Sequence, residues 1–256
     1  MNFQLTIVKA GGKIIEEPDL LNAVLKDFSR IAGYKILVHG GGRMATELAG
    51  KLGVESKMAD GRRITDRETL KIVTMVYAGW VNKNIVARLQ AESVDAVGLT
   101  GADMNLITSM KRPVKDIDYG FVGDVKSVNS KVLSDMLSSG FVPVLAPLTH
   151  DGNGNLLNTN ADSIAAETAA ALAYDFNVRL IFCSDKNGVL MDENDEKSVI
   201  PTLDGELYQQ YRAKGIIKDG MIPKLDGAFR AGAAGVREIV ITSAAGLSAG
   251  GGTYIR

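Results

Sequence analysis

The chain has 256 residues, 46% of them hydrophobic, with 29 lysines and arginines against 30 acids. That length and apolar content can bury a large core, as one big α/β domain or two tightly joined lobes. A net charge of −1 gives no general attraction to nucleic acid or to an anionic membrane, so neither is expected as a partner and any positive field must be local.

The first strand is predicted at about 3–9 and closes on Lys9, followed by Ala10-Gly11-Gly12. Glycine lacks Cβ, so consecutive glycines let backbone N–H groups meet a ligand's oxygens closely, and a neighbouring lysine adds charge: together they make a phosphate seat. A helix at 18–32 leads to a strand at 34–39, which runs through His39 into Gly40-Gly41-Gly42 and a helix at 42–52. This second glycine turn sits at the positive end of a helix dipole. Alone, either turn reads more simply as an ordinary tight turn. Two of them at the carboxyl ends of parallel strands favour one anionic ligand site.

Asp60-Gly61-Arg62-Arg63-Ile64-Thr65 comes next. Its guanidinium suits bidentate capture of a carboxylate, although a solvated surface arginine is the simpler reading of this turn taken alone. A long helix is predicted at 66–91, where Leu70, Val73, Val76, Tyr77 and Val81 form an apolar face for its own lobe or for a dimer contact. A strand at 94–98, a β-hairpin within 105–128, a helix at 130–139, a strand at 141–146 and a second hairpin at 147–158 follow.

Asn158-Thr159-Asn160-Ala161-Asp162 opens an alanine-rich helix at 160–175. Asn160 can cap it and Asp162 is a first-turn acid that the dipole favours, but capping leaves Asn158 unexplained. A lobe boundary is expected near 175. The strand at 178–183 holds the single Cys183, as a packed residue, and ends on Ser184-Asp185-Lys186-Asn187-Gly188, where a plain turn and a nucleotide contact fit equally well. The helix at 219–234 opens on Asp219-Gly220-Met221-Ile222-Pro223-Lys224. A lysine there opposes the dipole, so an anion is its natural companion, with solvent as the duller alternative. A strand at 236–242 completes an alternation that defines the α/β class: an open, mostly parallel central sheet with helices on both faces, a three-layer αβα sandwich with antiparallel hairpin additions.

Several familiar motifs fail. Gly40-x-Gly42-x-x-Ala45 with Asp60 about twenty residues on partly matches the dinucleotide fingerprint, but Val54-Glu55-Ser56-Lys57-Met58 is too polar and short for the strand that the acid should end. Gly246-Leu247-Ser248-Ala249-Gly250 has nucleophile-elbow spacing, yet the last histidine is His150. There is no Walker A sequence, and two histidines with one cysteine make no zinc cluster. One cysteine allows no internal disulfide, and neither a signal-type segment nor a run of about 18 apolar residues occurs, so a cytoplasmic location is expected.

Taken together, Lys9-Ala10-Gly11-Gly12, His39-Gly40-Gly41-Gly42, Gly61-Arg62-Arg63-Ile64-Thr65, Asn158-Thr159-Asn160-Ala161-Asp162, Ser184-Asp185 and Gly220-Met221-Ile222-Pro223-Lys224 resemble the amino acid kinase family, over essentially the whole chain. Single pieces are shared with members acting on carbamate, aspartate, glutamate or uridylate. The arginine turn with Asn-x-Asn-Ala-Asp resembles the branch acting on N-acylglutamates.

The resemblance implies transfer of the γ-phosphoryl group of ATP to the γ-carboxylate of N-acetyl-L-glutamate in arginine biosynthesis, or of N-succinyl-L-glutamate. It implies that Lys9 and Lys224 flank the migrating group and that Asp162 orients both. Gly11, Gly12 and Gly41 would hold phosphoryl oxygens. Gly41, Gly42, Arg63, Asn158 and Asn160 would belong to the acylglutamate site. Ser184, Asp185, Lys186, Asn187, Gly188, Val189, Leu190, Ile216, Ile217 and Lys218 would border ATP, with Mg2+ carried on its phosphates and no dedicated metal residues. Residues 1–175 would bind the acylglutamate and 176–256 the nucleotide. This agrees with the chemistry, since phosphoryl transfer needs positioning and charge stabilisation, and an ionised carboxylate needs no general base.

Two residues depart from the pattern: Ala10 is smaller than the residue expected in the lysine turn, and Pro223 directly precedes Lys224. Arginine-inhibited members are expected to carry an extra N-terminal helix that joins dimers into hexamers. The first strand starts within a few residues of Met1, so an arginine-insensitive homodimer is expected. A silent amino acid sensor would be expected to lack a lysine or the aspartate, and all three are present. Trp80 and the Tyr119–Gly123 hairpin are plausible neighbours of the acyl group, though packing explains each more simply.

Overall fold

The computed structural model describes residues 3–59, 61–218 and 220–256, so Asp60 and Asp219, in the two turns noted above, lie outside the described residues. The strands are β1 (Phe3–Ala10), β2 (Tyr34–His39), β3 (Met58–Ala59), β4 (Arg62–Arg63), β5 (Ala96–Leu99), β6 (Ile107–Lys111), β7 (Val122–Val128), β8 (Val142–Leu145), β9 (Leu148–His150), β10 (Leu156–Thr159), β11 (Phe176–Ser184), β12 (Thr202–Leu203), β13 (Glu238–Ser243) and β14 (Thr253–Ile255). The helices are α1 (Gly12–Glu16), α2 (Pro18–Ser29), α3 (Gly42–Lys51), α4 (Arg67–Thr74), α5 (Asn82–Ala91), α6 (Ser130–Ser138), α7 (Ala161–Leu172), α8 (Gly205–Ala213), α9 (Met221–Ala233) and α10 (Ala244–Ala249).

The central sheet runs β12-β14-β13-β11-β1-β2-β8-β5. From β13 to β5 all neighbours are parallel, and β14 turns antiparallel against β13. The α/β class expected from the sequence is therefore realised. β1 lies inside the sheet, paired with β11 from Phe3 to Ala10 and with β2 from Leu5 to Ala10. The expected lobe boundary between residues 175 and 176 falls at the first residue of β11, so the sheet continues across it.

Strand alternation divides the core between two faces. Leu5 and Ile7 of β1 join one apolar cluster with α7 and α9, while Val8 and Ala10 join another with α2, α3 and α5. Lys9, two residues beyond Ile7, therefore projects on the α7/α9 side. Both predicted hairpins form, β6 against β7 and β9 against β10. They do not stay separate additions: parallel pairing of β10 with β7 and of β6 with β9 closes them into a four-stranded barrel.

The helix expected at 66–91 is interrupted by a π-helical turn, Met75–Val81, between α4 and α5. Its apolar residues Val73, Val76, Tyr77 and Val81 are buried within the chain, with Leu70 packed against the same cluster, and Met75 and Trp80 are the ones turned outward. The sequence reading missed α1, α8, α10, β3, β4, β12 and β14. They are short, and α8 exposes most of its surface, so no strong apolar period announces them.

Candidate active site

The parallel strands bring the carboxyl ends of β1, β2 and β11 to one edge, where open α/β sheets place their ligands. The glycine turns after β1 and β2 lie side by side: Gly40 N–H donates to Ala10 O at 3.2 Å, and Arg43 on α3 pairs with Glu16 on α1 at 3.1 Å. Gly11, expected at a phosphate, instead donates its N–H to the Cys183 carbonyl at 2.8 Å, and an added Cβ would stand 3.2 Å from that oxygen. A side chain at Gly11 would therefore press on the end of β11. Gly12 opens α1, and Gly41, at φ 147°, caps α3. A side chain at Gly41 would both strain that backbone and press on the Tyr77 ring, 3.2 Å away.

Lys9, Asp162 and Lys224 converge from β1, α7 and α9. Asn160 caps α7 by accepting from Ser163 N–H at 3.0 Å, which sets Asp162 in the first turn. Lys9 Nζ is 2.8 Å from Asp162 Oδ1. Burial alone would raise the Asp162 carboxyl, but Lys9 and then Lys224 outweigh it and hold it below the ordinary value. Burial lowers Lys224, with Lys9 pushing the same way and Asp162 opposing. Lys224 Nζ stands 5.9 Å from the ring of Phe182, the β11 residue paired with Lys9. Pro223 fits without strain, because the third helical position has no intrahelical use for an N–H.

Gly41, Gly42, Arg63, Asn158 and Asn160 line one cleft of about 190 Å³, together with Gly40, Arg62, Tyr77 and Val122. That is below the ~300–1,000 Å³ of drug-sized pockets and suits a small metabolite. Arg63 is buried and held by three acceptors at 2.8 Å each: Ser56 Oγ, Gly42 O and Thr46 Oγ1. Asn158 donates to Thr65 Oγ1 at 2.9 Å. The sequence reading missed Tyr77, whose hydroxyl lies beside the Arg63 guanidinium. Its signal was hidden because an aromatic at helical spacing reads as core.

The residues expected around the nucleotide divide into two groups. Ser184, Asp185, Lys186 and Asn187 leave the end of β11 with Asp185 and Asn187 exposed, and Lys218 is exposed and paired with Glu193 at 3.2 Å. Ile216 is half-buried. Val189, Leu190 and Ile217 turn inward and are buried, and a Cβ at Gly188 would press on Thr253 and Val199. Val189 N–H donates to Thr253 Oγ1 at 2.8 Å, an arrangement that directs its side chain into the core. Among the described residues no group of three His, Cys, Asp or Glu is placed to hold a metal ion.

His39, the last residue of β2, is fully buried, and burial pushes its pKa from 6.5 to about 4 despite the bond to Gly40, with Lys83 adding to the fall. The unfolded chain therefore takes up a proton between about pH 6.5 and 4 that the folded chain refuses. Stability from this group is complete above 6.5 and is lost as pH falls toward 4, by about 3 kcal/mol. Urea unfolding across that window should show this slope, and a flat profile would contradict it. Asp162 acts in the same sense at lower pH.

A model described as the amino acid kinase family matches residues 4–243. The chain belongs to the amino acid kinase family. Among its relatives, acetylglutamate kinase of Phocaeicola vulgatus is 62% identical over the full length of both chains. That of Bacteroides fragilis is 61% identical over all of this chain and 98% of its own. That of Methanopyrus kandleri is 40% identical over 98% of this chain and 100% of its own. The crystal structure of smu.665 from Streptococcus mutans UA159 superposes with a TM-score of 0.83 at 28% identity, covering 98% of each chain. N-acetylglutamate synthase from Neisseria gonorrhoeae, complexed with coenzyme A and N-acetyl-glutamate, gives 0.83 at 22% identity over 98% of this chain and 59% of that one, a likeness of fold.

Proposed function

We propose that this amino acid kinase moves the γ-phosphoryl group of ATP onto the side-chain carboxylate of N-acetyl-L-glutamate, giving N-acetyl-L-glutamyl 5-phosphate for arginine biosynthesis. The observation that carries the reading is the Lys9–Asp162–Lys224 cluster at the sheet edge, next to a cleft lined by Arg63 and Asn158. The acetylglutamate kinases that match the whole chain support it. A carboxylate oxygen attacks the γ-phosphorus, the bond to the β–γ bridging oxygen breaks, and ADP leaves with that electron pair. Lys9 and Lys224 offset the charge on the migrating group, and Asp162 keeps the two ammonium groups in place. Gly12 and Gly41 offer N–H groups to its oxygens. Arg63 and Asn158 hold the acyl amino acid. Mg2+ enters on the nucleotide phosphates. On this reading residues 1–175 carry the acylglutamate and 176–256 the ATP.

The working form is proposed as a cytoplasmic homodimer. Met75 and Trp80, 52% and 66% exposed on the π turn, support a subunit contact. Among the described residues no helix is long and apolar enough to cross a membrane.

One observation favours N-succinyl-L-glutamate as a second reading. Arg62 lines the same cleft beside Arg63, and burial followed by the neighbouring Arg112 lowers its pKa, with Asp124 opposing. Arg112 is paired with Asp124, whereas among the described residues no carboxylate forms an ion pair with Arg62. A second carboxylate on the acyl group would complete that site. Arg62→Met should then lower kcat/KM for N-succinyl-L-glutamate roughly 10- to 100-fold, the worth of one charged hydrogen bond, and leave N-acetyl-L-glutamate nearly unchanged. An equal loss on both substrates would sink this second reading.

A coupled ADP-release assay with N-acetyl-, N-succinyl- and free glutamate, aspartate, carbamate and uridylate tests the function. Turnover with an N-acylglutamate is expected. No ADP release with any of the six would leave the chain a silent binder.

A further inference from the structure

Behind the second glycine turn lies a buried polar network that the proposed reaction does not use. His39 Nδ1 is 2.8 Å from Gly40 O, and Asn82 Nδ2 is 3.1 Å from His39 Nε2 and 3.0 Å from Val144 O. Both side chains are almost wholly buried, at 0% and 1% exposure, so each polar atom must be satisfied by the protein. An amide nitrogen can only donate. Nε2 is then the acceptor, and the ring proton sits on Nδ1 and is donated to Gly40 O. Lys83 Nζ closes the network at 3.1 Å from Asn82 Oδ1 and 2.9 Å from Gly98 O. A Cβ at position 98 would collide with Asn82 Oδ1, so glycine there makes room for the asparagine.

The π turn explains how Asn82 reaches this place. An α-helical turn stacks residues three and four apart, whereas i→i+5 bonding brings those five apart toward one face. Tyr77 and Asn82 are five apart across Met75–Val81. Tyr77 thereby presses on Gly41 while Asn82 reaches the base of the same turn.

In a planar trans peptide the carbonyl and the N–H point to opposite sides. Holding Gly40 O against His39 therefore turns the Gly41 N–H away from the core, toward the cleft that Gly41 lines. That N–H has no partner among the described residues.

We propose that Asn82 is a positioning residue that acts through His39: by fixing the imidazole proton on Nδ1 it locks the Gly40–Gly41 peptide and aims the Gly41 N–H at a phosphoryl oxygen. The last step rests on the phosphotransferase reading above.

The test compares two replacements of similar size. His39→Asn puts an amide donor near the place of Nδ1, whereas His39→Gln reaches only the place of Nε2. His39→Gln should lower kcat on the order of 10²-fold, the effect of an ångström-scale misplacement, with little change in KM. His39→Asn should stay within about tenfold of the parent. Asn82→Leu should slow the parent but add nothing in the His39→Asn background, because its route is then absent. Equal losses in the two histidine variants at equal melting temperature, or a full Asn82→Leu effect in the His39→Asn background, would overturn the proposal. If His39→Gln does not fold, the Asn82→Leu comparison decides alone. ¹⁵N NMR of the histidine ring separates this idea from the functional reading. A proton on Nδ1 that is lost in Asn82→Leu supports the positioning role even if no acylglutamate is turned over, and a proton on Nε2 in the parent refutes it even if the kinase is active.

Discussion

Lys224→Ala and Lys9→Ala are each expected to lower kcat on the order of 10²- to 10³-fold, the usual cost of removing one preorganised donor from a charge-developing centre. The two ammonium groups are partly desolvated, Lys9 at 9% exposure and Lys224 with its pKa lowered chiefly by burial. In such surroundings a cation acts on nearby phosphoryl oxygens more strongly than it would in water. Lys224→Ala is the cleaner test, because it leaves the 2.8 Å Lys9–Asp162 pair intact. The loss should appear in kcat, with KM for the acylglutamate close to normal, since Arg63 and Asn158 are untouched. Turnover near the parent value in either variant would remove the lysines from the reaction.

Asp162→Ala should cost about 3–5 kcal/mol of stability, the range for removing one partner of a buried ion pair. The aspartate is the counter-charge for Lys9 and Lys224 together, so its removal strands two neighbouring cations. It also takes an acid from the first turn of α7, where the dipole favours one. Urea denaturation gives the number. Added sulfate or ATP should restore part of the loss by supplying the missing negative charge. A loss below about 1 kcal/mol would mean that the pair behaves like an exposed surface ion pair.

Much of this site was legible because its groups sit at element ends, where the sequence marks them. Lys9 lies one residue from the end of an apolar strand, Asn160 and Asp162 open a helix, and the glycine turns follow strands. Alternation along β1 then fixed the side on which Lys9 projects. What stayed hidden depends on pairings between distant segments. The closing of two hairpins into one barrel needs β10 beside β7, and the use of Gly11 as a donor to Cys183 needs β11 beside β1. The π turn was illegible because Met75–Val81 has the same apolar character as an ordinary buried helix. Val189 and Ile217 were placed beside the nucleotide by the resemblance, and that their side chains pack into the core depends on β11, α9 and β14 coming together in the fold.

The Lys9 ammonium rides on a strand whose neighbours hold it in step on both edges. Deleting a single residue between Leu5 and Lys9 would carry the cation to the opposite face, into the oil beneath α2 and α3, where nothing answers its charge. A mis-threaded chain therefore discards itself during assembly. Correct folding and a correctly mounted Lys9 are one event.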